Sequence, residues 1–146
     1  MTGLRRGTVL MNPAARGVNK DFDGTRLTRY LGRRGVECGL VLPSSAAEAT
    51  AKAREAAERG DDILFVVGGD GSVRDAALGL AGSETALAAV PSGTVNIWAR
   101  EAGIPRGMRA AVGAHLEGQS VDVDVGRACQ HCFLLVAGEG LGPGRE

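Results

Sequence analysis

The chain has 146 residues, enough for one domain with a sizeable core. Apolar residues make up 44% of it, which excludes disorder by composition, and 17 basic residues balance 17 acidic ones, which excludes an overall nucleic-acid footprint or an acidic tail. No stretch approaches the roughly 18 apolar residues of a membrane span, and the run after Arg5 and Arg6 is too short for a signal peptide. Three cysteines, an odd number, point to a reducing compartment, so the expectation is a soluble cytoplasmic protein.

In chain order, Val9-Leu10-Met11 reads as a short buried strand that runs into the turn "NPAARG". The stretch 23–34 reads as a helix with Leu27, Tyr30 and Leu31 on one face, ended by Gly35. A second strand follows over 36–42. Ser45 with Glu48 three residues on is a capping-box signal, and the helix it opens runs over 46–59 to Gly60. Its outer face carries i,i+4 pairs (Glu48–Lys52, Arg54–Glu58, Glu55–Arg59), and its inner face is alanine. Strand three is expected at 63–67, a helix at 74–80, strand four at 87–90, short helices at 95–101 and 108–116. From Gln119 the period changes to two. Val121, Val123 and Val125 alternate with Asp122 and Asp124, "GRACQHC" reads as a turn, and 133–137 as the second strand of a hairpin. The alternation of strand and helix predicts an α/β fold, a mainly parallel sheet with flanking helices ending in a β-hairpin, with no domain boundary inside the chain.

Strands one, three and four each end in an unusual turn: "NPAARG", "GGDGS" and "PSGTVN". In an open parallel sheet, ligands bind beyond the carboxyl ends of the strands where strand order reverses, so three such turns point to one crevice. Glycine is abundant, 23 residues, about twice average usage, and clusters after apolar runs. Gly68, Gly69 and Gly71 at positive φ would turn successive N–H groups into one concavity suited to phosphate oxygens, with Ser72 adding a hydroxyl and the next helix a positive dipole. This is neither a Walker A loop, since no Lys-Ser/Thr follows, nor the Rossmann fingerprint, since it follows the third strand. Asp70 stands inside that turn. Its carboxylate makes sense holding Mg²⁺ through water, hydrogen-bonding nearby N–H groups to set the turn, or capping the helix that follows.

"GGDGS", "PSGTVNIWAR" and "NPAARG", in that order and spacing, together with the later "VDVDVGRACQHCFLLVAGEGLG", resemble the diacylglycerol kinase catalytic-domain family of bacterial diacylglycerol kinases, sphingosine kinases and related lipid kinases. The resemblance implies a NAD kinase/diacylglycerol kinase-like N-terminal domain binding ATP with Mg²⁺, and transfer of the γ-phosphoryl group to a lipid hydroxyl such as that of diacylglycerol. It implies nucleotide contacts from Asn12, Pro13, Ala14, Ala15 and Arg16, from Gly68, Gly69, Asp70, Gly71, Ser72, Val73, Arg74 and Asp75, and from Gly93, Thr94 and Asn96. Asp70 is the residue that would organise metal and phosphate. The resemblance leaves room for peripheral membrane contact and for a homodimer, and implies no nucleic-acid partner. A GGDG turn also occurs in NAD kinases and 6-phosphofructokinases, so such a kinase is the alternative, as is a truncated, non-catalytic nucleotide-binding module.

The sequence departs from the family pattern in three places. Arg74 and Asp75 stand where the family has Asn-Glu, and Ile97 stands where its GTxND motif ends in a carboxylate. The family's second, β-rich domain, which carries the general base and the lipid cleft, is not represented, so the expectation is an ATP-binding domain without turnover of its own. Cys129 and Cys132 around His131 lack a second ligand pair and read as an incidental turn. His115 is expected to bond the last carbonyls of its helix, and Trp98 is expected in the core.

Overall fold

The computed structural model describes residues 4–12, 24–91, 97–118, 126–128 and 131–133. The elements are β1 (Arg6–Met11), α1 (Gly24–Arg33), β2 (Glu37–Val41), α2 (Ala46–Arg59), β3 (Ile63–Gly68), α3 (Asp70–Leu80), β4 (Ala86–Pro91), α4 (Ile97–Glu101), α5 (Met108–Glu117), β5 (Gly126–Ala128) and β6 (His131–Phe133). β1 to β4 form a four-stranded sheet, all parallel, in the order β2-β1-β3-β4. The chain steps from β1 to β2 on one side and then to β3 on the other, so the order reverses between β1 and β3.

Period-two alternation divides the core between the two faces of the sheet. Val9, Met11, Ile63, Phe65, Val67, Ala88 and Val90 turn to the face covered by α1 and α5, through Leu27, Leu31, Ala111 and Val112. Leu10, Leu64, Val66 and Ala89 turn to the face covered by α2 and α3, through Ala49, Ala53, Ala56, Val73, Ala76 and Leu80. The alanine face of α2 brings α3 so close that a Cβ on Gly79 would collide with the Thr50 carbonyl and sit 2.7 Å from the Ala53 Cβ. Among the described residues, Leu42 and Ile97 are the large apolar side chains left exposed, at 49% and 45%.

α2 has the predicted bounds, because its signals are local. Ser45 accepts the Glu48 N–H at 3.0 Å, and Gly60 ends the helix at φ 82°. The return arm of the box reaches one residue further than expected, Glu48 accepting the Ser44 N–H at 3.0 Å. The predicted i,i+4 pairs are replaced by other partners. Arg54 donates to the Leu78 carbonyl and Arg59 to Asp61, while Lys52 pairs with Glu55 at 3.5 Å.

The hairpin also differs in register from expectation. β5 and β6 pair antiparallel within the stretch read as a turn, Gly126 opposite Phe133 and Ala128 opposite His131. The alternating segment with Asp122 and Asp124, Cys129, and all but Phe133 of the second strand read at 133–137 lie outside the described residues.

The amino-terminal edge of the sheet is closed by a polar knot. Asp61, 3% exposed, accepts from Thr8 Oγ1 at 2.6 Å and from Arg59 at 3.0 and 3.3 Å, and pairs with Arg6 at 3.3 Å. Its carbonyl accepts from Thr85 Oγ1 at 2.7 Å. Asp62 accepts the N–H groups of Arg5 and Arg6 at 2.9 and 3.0 Å. The Cys38 thiol beneath this knot is pushed up to about 12 by burial and by the Asp61 charge, which leaves it inert as a nucleophile.

Candidate functional site

The site builds from the carboxyl ends of β1 and β3, the two strands flanking the switch point. β1 hands over to Asn12, whose N–H donates to the Val67 carbonyl at 3.3 Å and so keeps the first turn beside the glycine turn. Pro13, Ala14, Ala15 and Arg16 lie outside the described residues. β3 runs to Gly68. A Cβ there would sit 2.6 Å from Ser72 Oγ and 2.8 Å from its Cβ, so only glycine lets the strand end tuck beneath the first turn of α3.

The glycines work differently from expectation. None of Gly68, Gly69 and Gly71 takes a positive φ; among the described residues the positive-φ glycines are Gly35, Gly60, Gly82, Gly103 and Gly107. Gly69 is extended (φ −97°, ψ −164°) and serves as N-cap, and the helix begins at Asp70 instead of Arg74. The turn is thus compressed into one residue, and Asp70, Gly71 and Ser72 form the first turn of α3. Val73 N–H to the Gly69 carbonyl, at 3.1 Å, is the first bond of that helix. The N–H groups of Asp70, Gly71 and Ser72 precede it, and no side chain caps this end. Gly71 is exposed with open space around the position of a Cβ, so packing does not require glycine there.

Asp70 does not cap its own helix. Its Oδ2 accepts the Ile97 N–H at 2.9 Å and its Oδ1 the Trp98 N–H at 2.8 Å. One carboxylate therefore satisfies two terminal donors of α4 while sitting in the first turn of α3, so the positive ends of two helix dipoles converge on it. This matches the reading of Asp70 as a hydrogen-bond acceptor for nearby N–H groups, but the groups belong to the next motif, 27 and 28 residues on. Gly93, Thr94 and Asn96, in the segment that Asp70 anchors at its far end, lie outside the described residues.

Around this clamp, Arg74 pairs with Asp75 at 3.3 Å, and the Asp75 carbonyl accepts from Thr50 at 2.8 Å. Ile97 is exposed where the family pattern has a carboxylate. Trp98 packs on the α2–α3 side of the core, as expected, but its indole N–H is buried with no partner among the described residues. His115 departs from expectation. Its Nε2 lies 2.7 Å from the Ala89 carbonyl on β4, not at its own helix end, and its ring meets Phe65 edge-on. Burial pushes its pKa down against the opposing effect of that hydrogen bond. Among the described residues no cluster of three or more His, Cys, Asp or Glu could hold a metal ion.

The carboxyl edge of the sheet thus carries a strand–glycine–helix turn and a clamped second helix beside the switch point. Comparison with known proteins decides the family. The family model of the diacylglycerol kinase catalytic domain matches residues 6–128. The chain belongs to the diacylglycerol kinase catalytic-domain family. Its curated relatives include the diacylglycerol kinases of Bacillus subtilis and Staphylococcus carnosus. Each is 30% identical over 141 residues; the matches cover 94% and 93% of this chain but only 46% and 45% of those proteins. A crystal structure of a diacylglycerol kinase from Bacillus anthracis superposes with a TM-score of 0.79 at 26% identity, covering 92% of this chain and 50% of that one. The diacylglycerol kinase-family chain thus spans about half the length of the relatives it matches. No helix among its described residues is long and apolar enough to cross a membrane.

Proposed function

We propose that this chain is the ATP-binding part of a lipid kinase that transfers the γ-phosphoryl group of ATP to a lipid hydroxyl such as that of diacylglycerol. The observation that carries the reading is the uncapped start of α3, placed by Gly68 and Gly69 at the switch point of a chain of this family. The backbone N–H groups of Asp70, Gly71 and Ser72 bind and orient phosphate oxygens there, and glycine at 71 keeps side-chain bulk away from them. Such a reaction is catalysed mainly by positioning and by charge stabilisation.

The residues fit a magnesium ion only in part. Each Asp70 oxygen spends one lone pair on α4 and keeps another, so a water on the ion can be held there, while Asp75 is engaged by Arg74 and Ile97 offers nothing. Mg²⁺ would therefore reach the site on the nucleotide and neutralise its phosphates, with Asp70 as an outer partner. The lipid site and the group that takes the hydroxyl proton are assigned to the half of a complete enzyme that this chain does not match, so the isolated chain is expected to bind nucleotide weakly and turn nothing over.

Calorimetric titration with Mg·ATP tests the binding step, and heat that saturates in the millimolar range or below is expected. No heat and no amide shift at millimolar nucleotide would remove the proposal. A radiolabelled-phosphate assay with diacylglycerol micelles tests the division of labour. Turnover by these 146 residues above an Asp70→Asn blank would show that the second half is dispensable.

A further inference from the structure

The charges around the first turn of α3 differ from the family pattern in a consistent direction. With Asn-Glu at 74 and 75 and a carboxylate at 97, that pattern places three acids and no base beside Asp70's turn, Asp70 included. Three acids repel a triphosphate unless a cation stands between them. This chain has two acids, Asp70 and Asp75, and one base, Arg74, with Ile97 uncharged. Both remaining acids are also answered from within the protein. The Asp70 oxygens accept the Ile97 and Trp98 N–H groups at 2.9 and 2.8 Å, and Asp75 accepts from Arg74 at 3.3 Å.

Arg74 is well placed to act on a ligand at this turn. It follows Gly71 by three residues and Asp70 by four, so both are its neighbours on the helix surface. Long helical side chains lean back over the turn that precedes them, which for Arg74 is the uncapped start of α3. A Cβ on Gly71 would meet nothing within 4 Å, so glycine leaves this face open between Arg74 and the free N–H groups. The Arg74 side chain is 56% exposed, and its contact with Asp75 is a single one between adjacent residues. Exposed pairs of that kind are weak. The guanidinium is thus held at the site with donors to spare, and its planar fork suits paired hydrogen bonds to phosphate oxygens.

We infer that this crevice grips the phosphates of a nucleotide with a cation of its own, Arg74, so that nucleotide affinity is nearly independent of Mg²⁺. The inference rests on the proposed nucleotide-binding reading and concerns how the same site meets its ligand's charge. A metal that no protein carboxylate anchors directly adds little to the grip, and the arginine supplies what the missing acids would have needed an ion to provide. Arg74 and Ile97 are then the two positions that set the metal requirement of binding.

The test is calorimetric titration of the 146-residue chain with ATP, once with excess Mg²⁺ and once with EDTA in place of the metal. The two dissociation constants are expected to agree within about threefold. Arg74→Asn should weaken metal-free ATP about tenfold but Mg·ATP only about threefold, because the arginine's hydrogen bonds are stronger to the more highly charged form. Ile97→Asp should weaken metal-free ATP about tenfold and leave Mg·ATP as tight or tighter, since the new carboxylate repels bare phosphate and can hold a water on the ion. Lys52→Gln on α2 should change neither, and circular dichroism should show all variants folded. Metal-free ATP binding more than about tenfold weaker than Mg·ATP in the parent chain would overturn the inference. So would an Arg74→Asn chain that binds both forms as the parent does, or that loses both alike. Heat from neither form would sink the nucleotide reading itself, whereas heat from Mg·ATP alone would sink this inference and leave that reading standing.

Discussion

The two ends of the parallel sheet use aspartate in opposite ways. At the amino-terminal edge, Asp61 is buried and surrounded by side chains: Thr8, Arg59 and Arg6 converge on one carboxylate. At the carboxyl-terminal edge, Asp70 is only partly buried and meets backbone alone, the N–H groups of Ile97 and Trp98. The first arrangement is saturated and can only hold the fold together. The second keeps spare lone pairs and stands beside an uncapped helix start, so it can hold the fold and still meet a ligand. On the proposed reading, stability and recognition fall at opposite ends of the same strands.

The largest expected effect lies at the saturated end. Asp61→Ala leaves Thr8 and two arginines without their acceptor; because the arginines are about half exposed, the cost is about 2 kcal/mol, below the range for a wholly buried pair. Urea denaturation measures it, and a change under about 0.5 kcal/mol would erase the contrast between the edges. Asp70→Ala should cost less, about 1 kcal/mol for a lost helix cap, but should also abolish Mg·ATP heat in calorimetry. Equal nucleotide affinity in that variant would show that the clamp serves stability only.

Gly71→Ala sharpens the comparison by separating the two roles. Glycine inside a helix costs about 0.5–1 kcal/mol relative to alanine, and a Cβ here meets nothing, so the variant should melt higher while binding Mg·ATP more weakly. A lower melting temperature, or unchanged nucleotide binding, would contradict the role given to the first turn of α3.

The smallest effects are in pH. Burial alone would raise the Asp61 carboxyl, but hydrogen bonds from Arg59 and Thr8 and the charges of Arg59 and Arg6 outweigh it and hold it below the ordinary value. Hydrogen bonds from the Arg5 and Arg6 N–H groups do the same for Asp62. A folded pKa below the unfolded value of about 3.9 means stability that is fully present above that pH and lost as pH falls through the folded pKa. His115, depressed by burial, behaves likewise from its unfolded value of about 6.5: the unfolded chain takes up the proton first, so stability declines as pH falls below that point. Urea midpoints across pH should show two acid steps. His115→Gln should remove the upper one and spare the lower, which belongs to the amino-terminal edge.

What was legible in the sequence was local. The capping box and Gly60 fixed α2 to the residue, and uninterrupted apolar runs marked the strands of the parallel sheet. The turns after β1 and β3 were readable as neighbours of one edge, because alternating strands and helices make a parallel sheet whose strands all end on the same side. The start of α3 was not readable. Its N-cap is a glycine without a capping side chain, and the bonds that tie its first residue down come from α4. The ion pairs expected on α2 gave way to other acceptors: Arg54 reaches the Leu78 carbonyl on α3, which no spacing rule along one helix can anticipate, and Arg59 turns to Asp61 just past the helix end. Asp61 drew no reading from the sequence, because Thr8 and Arg6 are more than fifty positions away.

The bond from His115 to Ala89 has a consequence for self-association. Ala86 turns its N–H to β3, so by alternation Ala89 turns its carbonyl outward, along the border of the sheet that β4 forms among the described residues. An outward carbonyl on an outer strand is an invitation to a stray strand from another molecule. Here the imidazole already occupies it, and Pro91, two residues on, has no N–H to offer. Among the described residues, one ring and one imino acid blunt this border, without any charged residue on the strand itself.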